Sequence, residues 1–183
     1  PYNGEVALHF AVIQRDLAMV QLLVSNGASV HKHASGEFLY SHKGLYFGGT
    51  IIGFAACMGD VSIIEYLVRH GADVNARDQG PLLGEKSKNL AEGVRNNSVL
   101  HCCVLHNRDE MYRYLINNLN ANPWAINDDY NTPLLLAASR KSVKMVRVAM
   151  DGMKQTLWTF GPVRRCVDNM LPAADMFTPF CPF

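Results

Sequence analysis

The chain of 183 residues is 49% apolar and carries 17 Lys plus Arg against 16 Asp plus Glu, a net charge of +1. That length and apolar content give a real core in one or two domains and exclude a wholly disordered chain, and the balanced charge offers no footprint for nucleic acid. Five cysteines with no CxxC pair argue against a complete disulfide framework, so a reducing compartment is expected. No signal peptide is visible, and no apolar run approaches the ~20 residues that span a bilayer. The sequence starts at Pro1 inside a repeating pattern rather than at Met, and is expected to be a fragment.

In chain order, a first unit occupies residues 2–30. Gly4 supplies a tight turn, Ala7, Leu8 and Ala11 begin one helix, and Leu17, Val20, Leu23 and Val24 give the i, i+3, i+4 face of a second. Gly27 follows at the place where a helix stops through a left-handed residue and a Cβ would be strained. Residues 29–47 then form a long connection in which Phe38, Tyr40, Tyr46 and Phe47 are spaced among His31, Lys32, His33, His42 and Lys43. No nearby Cys or carboxylate completes a four-ligand set around His31 and His33, so a solvated loop is expected there rather than a metal site. The aromatics either fold back on their own unit or dock on a partner.

A second unit, residues 46–78, is the most complete. Ile52 lies 44 residues after Leu8, and the same shift lays Gly48 on Gly4, Ala55 on Ala11, Asp60 on Asp16, Ile64 on Val20, Leu67 on Leu23 and Gly71 on Gly27. Gly53, Ala55 and Ala56 let the first helix approach its neighbours, while Ile63, Ile64 and Leu67 face the core. Cys57 has no base near it in sequence and reads as a small buried hydrophobe rather than a nucleophile. A second long connection, 79–96, is rich in Gly, Lys, Glu and Asn and is expected to be exposed.

The third unit, 97–122, places Leu100 another 48 residues on; Cys103 replaces Ala55, and Met111, Tyr112 and Leu115 form the second-helix face. Asn120 stands in for the stopping glycine, because Asn tolerates the left-handed turn. The fourth unit, 129–153, follows 34 residues later at Leu134, with Pro133 in the first helical turn, Ala137 and Ala138 as the small contact, and Val143, Val146 and Ala149 as the second face. Lys141, Lys144 and Arg147 suit a capping unit with one wet face, so the array is expected to end here. Residues 156–163 read as a strand ended by a Gly161-Pro162 turn.

Helix, turn, antiparallel helix, glycine stop and extended finger resemble the ankyrin repeat, whose period of ~33 residues makes the two connections oversized fingers. The fold is expected to be an all-α ankyrin-repeat solenoid of about four helical pairs over 2–153, with the start of a β linker in 154–183. In the ankyrin signature a Thr hydroxyl and a His three residues later bond across the turn. Here the pairs are Val6/His9, Thr50/Gly53, Ser98/His101 and Thr132/Leu135, so a network worth about 1 kcal/mol per bond is expected to be absent from all but the third. Gly4, His9, Gly27, Gly71, His101, Asn120 and Pro133 are thus the structural positions of the repeat.

A more specific likeness rests on the first finger, Gly27-Ala28, Ala34-Ser35-Gly36-Glu37-Phe38 and Lys43-Gly44-Leu45-Tyr46-Phe47-Gly48, and on the tail, Leu157-Trp158-Thr159-Phe160-Gly161-Pro162-Val163. With Phe54-Ala55-Ala56-Cys57, Arg77-Asp78, Val99-Leu100-His101 and Asn131-Thr132-Pro133-Leu134, these resemble the cytosolic domain of vanilloid-type transient receptor potential channels, most closely the invertebrate sensory members. The resemblance runs from Tyr2 to Val163. It implies a cytosolic assembly and regulatory part of a tetrameric, calcium-permeable cation channel at the plasma membrane, touching the membrane only through the rest of the channel. Its partners would be neighbouring subunits and cytosolic regulatory proteins, met through Phe38, Tyr40, Tyr46, Phe47, Trp158 and Phe160. For ATP, bound on the concave face of some members, only Tyr2 and Glu5 carry over, and no cofactor is expected. A soluble ankyrin adaptor is the alternative. An enzyme is not expected: His101, Cys102, Cys103 and His106 would have to form a thiol site, yet Cys103 sits at the packing position and no oxyanion donors accompany it.

Overall fold

The computed structural model describes residues 6–34, 49–79, 96–160 and 163–168, the strands beyond Lys154 by their backbone. Among the described residues eight helices pair off in sequence: α1 (Ala7–Ile13) with α2 (Leu17–Ser25), α3 (Ile51–Met58) with α4 (Val61–Arg69), α5 (Val99–Leu105) with α6 (Asp109–Leu119), and α7 (Pro133–Ser139) with α8 (Val143–Gly152). The first helices stack as a ladder, α1 on α3 on α5 on α7, while α2 meets α4 and α6 meets α8. This is an all-α repeat solenoid, in which each pair buries its apolar face only against its neighbours.

Local sequence explains each element. Asp16, Thr50, Asp60 and Thr132 cap α2, α3, α4 and α7 by accepting the N–H groups of Met19, Gly53, Ile63 and Leu135 at 3.0, 3.0, 3.1 and 3.3 Å. Each helical pair then turns through one left-handed residue: Arg15 (φ 59°), Gly59 (φ 76°), Asn107 (φ 53°) and Lys141 (φ 56°). These fall in the same 44, 48 and 34 register as the core leucines, so the backbone keeps the repeat even where glycine has been lost. Gly27 (φ 89°), Gly71 (φ 92°) and Asn120 (φ 54°) occupy the second left-handed position, after α2, α4 and α6.

The core runs through the middle pairs. Ile51, Ile52, Phe54, Ala55, Ala56, Cys57, Ile63, Ile64 and Leu67 are all buried, as are Cys103, Met111, Tyr112 and Leu115. A Cβ on Gly53 would come within 2.9 Å of the Thr50 hydroxyl that caps the same helix, while the Cys102 sulfur of α5 would lie at an ordinary contact distance of 3.7 Å. In α8 a Cβ on Gly152 would meet Ile116 at 2.6 Å. That close approach has no counterpart in the repeat signature.

At the last pair the structure departs from the sequence pattern. Val143, expected on the core face, is 73% exposed, and the buried face of α8 is Met145, Val148 and Ala149. Ala138 is exposed although its equivalent, Ala56, is fully buried. Ala56 is covered by a following repeat, and no following helix lies against α7 among the described residues, whereas Val143 opens its helix as Val61 opens α4, a position exposed in the middle of the array as well. Lys141, Lys144 and Arg147 are exposed, but Lys144 reaches back to Asp109 of the preceding repeat at 2.7 Å, and Arg147 lies beside the apolar Val143, Val146 and Met150.

After α8 the chain enters a two-stranded antiparallel sheet, β1 (Lys154–Phe160) and β2 (Val163–Asp168). Lys154 pairs with Asp168, Trp158 with Arg165 and Phe160 with Val163, with an irregularity between Thr156 and Trp158. The first strand follows the sequence reading; its partner β2 has no clear alternation in VRRCVD and was not anticipated. The Gly161-Pro162 turn lies outside the described residues.

Candidate interaction surface at the finger bases

Both oversized fingers are pinched shut at the scaffold. At the first, His33 and Thr50 form an antiparallel bridge and Ala34 N–H donates to the Gly49 carbonyl at 3.0 Å. At the second, Arg77 bridges Ser98, Asp78 N–H donates to the Asn97 carbonyl at 3.0 Å, and Asn97 N–H donates to the Asp78 carboxylate at 2.7 Å. The short connection before α7 closes on itself, with Asn127 Oδ1 accepting the N–H groups of Asp129 and Asn131 at 3.1 and 2.9 Å.

These three bases are tied into one seam. The His33 ring donates from Nε2 to the Arg77 carbonyl at 3.2 Å. The Arg77 guanidinium donates to the Ile126 and Asn96 carbonyls, and the Asn127 amide donates to Asn97 Oδ1 at 3.1 Å. Outside the seam, Asn122 N–H donates to Asn75 Oδ1 at 2.8 Å. A loop leaving such a base is held in position at both ends by groups that also hold its neighbour.

Two buried groups in and beside the seam are shifted by it. Asp78 is almost fully buried; burial pushes its pKa up to about 7, against hydrogen bonds from Asn97 and Asn96, with Asp128 adding to the rise. Its Oδ2 has no partner among the described residues. His101 is buried and pushed down to about 4, chiefly by burial, with the Asn131 carbonyl opposing and Arg77 adding to the fall. Its Nδ1 accepts from the Ser98 N–H at 3.1 Å and the Ser98 hydroxyl at 2.8 Å, so Nε2 carries the proton and donates to the Asn131 carbonyl at 2.9 Å.

The other turns keep half of that network, a correction to the expectation that it is absent. His9 Nδ1 accepts the Val6 N–H at 3.1 Å without a hydroxyl beside it. Thr50 and Thr132 keep the hydroxyl, which caps N3 in place of a histidine. Among the described residues His9 Nε2 is buried without a hydrogen-bond partner, and the ring stands edge-on to Phe54 with centroids 5.5 Å apart. Burial drives its pKa down to about 4, opposed by the Lys32 carbonyl and reinforced by His33.

Of the residues expected at an interface, Phe38, Tyr40, Tyr46 and Phe47 lie outside the described residues, as does Gly4. Trp158 and Phe160 are on β1, and Pro133 opens α7 at its first position. The structure adds His33, Arg77, Asp78, Asn97 and Asn127. Sequence reading used Arg77-Asp78 only as part of a likeness; their place immediately before the long second finger was the available signal. Among the described residues no three His, Cys, Asp or Glu side chains converge as a metal site. Cys57, Cys102 and Cys103 are buried, and burial raises the Cys103 pKa well above its ordinary value, so Cys103 presents no thiolate.

Two models of ankyrin repeats match the chain, one described as three copies over residues 1–78 and one as many copies over residues 100–149. With the four helical pairs, these make the chain an ankyrin-repeat solenoid. More particularly, its repeats are similar to those of vanilloid-subfamily channels. The match is 51% identical over 49 residues to transient receptor potential cation channel subfamily V member 2 of Mus musculus, and 48% over 50 residues to member 1 of Canis lupus familiaris. Each match covers 26% of this chain and 6% of the relative's length. Among the described residues no helix is long and apolar enough to cross a membrane.

Proposed function

We propose that the chain is the ankyrin-repeat part of a vanilloid-type cation channel of the invertebrate sensory kind, where it joins neighbouring subunits and couples their contacts to gating. The repeats form the unit over 2–153, and 154–183 begin the linker toward the channel. In this reading the protein is a non-enzymatic, cytosolic portion of a tetrameric, calcium-permeable channel of the plasma membrane. Phe38, Tyr40, Tyr46 and Phe47 of the first finger meet the neighbour's linker sheet, to which Trp158 and Phe160 belong, and cytosolic regulatory proteins can use the same surface.

The observation that carries this reading is the pinned seam. Because His33, Arg77, Asn97 and Asn127 join consecutive finger bases, a load applied to one finger passes into the next repeat through hydrogen bonds rather than through slack chain. A stack of helical pairs then moves as a semi-rigid body. The similarity to vanilloid-subfamily channels supplies the context.

Replacing Phe38 and Tyr46 together by Ala in the full-length protein tests it. Thermal unfolding of the repeat domain should hold within about 1 °C while subunit assembly, read by cross-linking or native mass, weakens several-fold, because interface aromatics act as anchors. An equal loss in both measurements would show the finger packing on its own repeat. Assembly that never occurs, with a soluble partner bound through the same residues, would favour the adaptor.

A further inference from the structure

Among the described residues Asp78 is a buried acid that no cation pairs with. Its Oδ1 accepts the Asn97 N–H at 2.7 Å, while Oδ2 has no hydrogen-bond partner among those residues. Arg77, next to it in sequence, donates instead to the Ile126 and Asn96 carbonyls. The turn before α7 faces it with a like charge, Asp128. Of the other titratable groups in the seam, His33 donates to the Arg77 carbonyl and His101 is kept neutral by burial. The Asp78 carboxyl also belongs to the closure of the finger base. Asp78 N–H donates to the Asn97 carbonyl at 3.0 Å and Asn97 N–H returns to Oδ1, so one pair of residues makes both bonds. Asn97 Oδ1 in turn accepts from the Asn127 amide at 3.1 Å, and Asn127 Oδ1 holds the Asn131 N–H at 2.9 Å. The first finger base closes without a carboxylate, by Ala34 N–H on the Gly49 carbonyl at 3.0 Å. A charge at Asp78 therefore acts on the second base and on the turn beyond it.

We propose that Asp78 is a proton-operated latch, which holds the second finger base to the turn before α7 while its carboxyl is neutral and loosens both when it ionises. A neutral carboxyl keeps the bond from Asn97 through Oδ1 and leaves a single hydroxyl to bury. The anion leaves a full charge, unpaired and beside Asp128, and it regains hydration only if the Asp78–Asn97 closure opens. Burial accordingly lifts the Asp78 pKa from 3.8 to about 7 in the closed form, with Asp128 adding to the rise and hydrogen bonds from Asn97 and Asn96 opposing it. Once the closure opens, the carboxyl returns toward 3.8, so opening releases a proton between those two values. The open fraction then grows about tenfold per pH unit up to pH 7, and no further above it. The inference concerns the chain's own closure and does not depend on the channel reading.

Amide hydrogen exchange on the whole chain, followed residue by residue by NMR from pH 5 to 8, makes the test. Protection of the Asp78 and Asn97 amides, corrected for intrinsic rates and divided by that of Ala34, should fall about tenfold per pH unit as far as pH 7 and then level off. The Asn131 amide should follow them. Asp78→Asn should abolish the fall. Asp128→Asn, a change at an exposed position, should leave the fall in place and move its end to lower pH. A ratio that stays flat with pH, a slope that survives in Asp78→Asn, an Asn131 amide that does not follow, or an end point that Asp128→Asn leaves unmoved would each overturn the proposal.

Discussion

The turns before α1 and α5 are the same device built to different completeness. Both hold a fully buried histidine whose Nδ1 accepts the N-cap N–H at 3.1 Å. Before α5, Ser98 adds a hydroxyl and the Asn131 carbonyl takes the Nε2 proton; before α1, Val6 offers a methyl and Nε2 is left without a partner among the described residues. Both rings are driven to about 4 all the same. Burial is therefore the main cause that keeps both rings neutral, while hydrogen bonds decide what each ring contributes to its neighbours. His101 is hydrogen-bonded to the next repeat's finger base; His9 meets the next repeat through the edge of its ring on Phe54.

The largest effect follows from removing the linking ring. His101→Ala strands the Ser98 N–H and the Asn131 carbonyl in a buried site and should cost about 3–4 kcal/mol. His9→Ala strands one group and should cost about 2 kcal/mol by the same reasoning. Urea unfolding at pH 8 reads both, and equal losses would mean that the extra bonds contribute nothing.

An intermediate effect concerns pH. His9 and His101 titrate near 6.5 when unfolded and near 4 when folded, so the folded state binds fewer protons and stability is lost as pH falls from 6.5 toward 4. Asp78 moves the opposite way, from 3.8 to about 7, so its folded form binds more protons and stability is lost as pH rises from 3.8 to 7. The slopes oppose each other across the same window. Asp78→Asn should raise stability at pH 8, by on the order of 2 kcal/mol, and leave a steeper acid-side decline once the opposing slope is gone. An unchanged profile would show that Asp78 stays ionised in the folded state.

The smallest effect is a gain. Val6→Thr places a hydroxyl beside His9 Nδ1, as Ser98 does beside His101, and should stabilise the chain by about 0.5–1 kcal/mol. A loss in thermal unfolding would mean that the methyl's packing outweighs the bond.

Much of the scaffold was legible in the chain because helical pairs leave two marks, an apolar period and a left-handed stop. Leu8, Ile52, Leu100 and Leu134 gave the register, and Gly27, Gly71 and Asn120 gave the stops. Ala138 was misplaced because periodicity assumes a neighbour on both sides, which the last pair lacks among the described residues, and Val143 because an apolar residue at the first helical position was counted with the core face although Val61, its equivalent, is exposed too. The seam was missed for a different reason. His33, Arg77, Asn97 and Asn127 bond across 30 to 49 residues, and neither their types nor their spacing repeats along the sequence.

The pinched finger bases also have a consequence for how the molecule can vary. Since Ala34 and Gly49, like Asp78 and Asn97, are hydrogen-bonded directly to each other, whatever chain lies between them is a closed appendix to the scaffold. Lengthening such an appendix adds only a logarithmic closure penalty, ~0.6 kcal/mol per doubling. The two sites are in effect sockets, at which a foreign segment of similar or greater length could be exchanged while the helical pairs keep their fold.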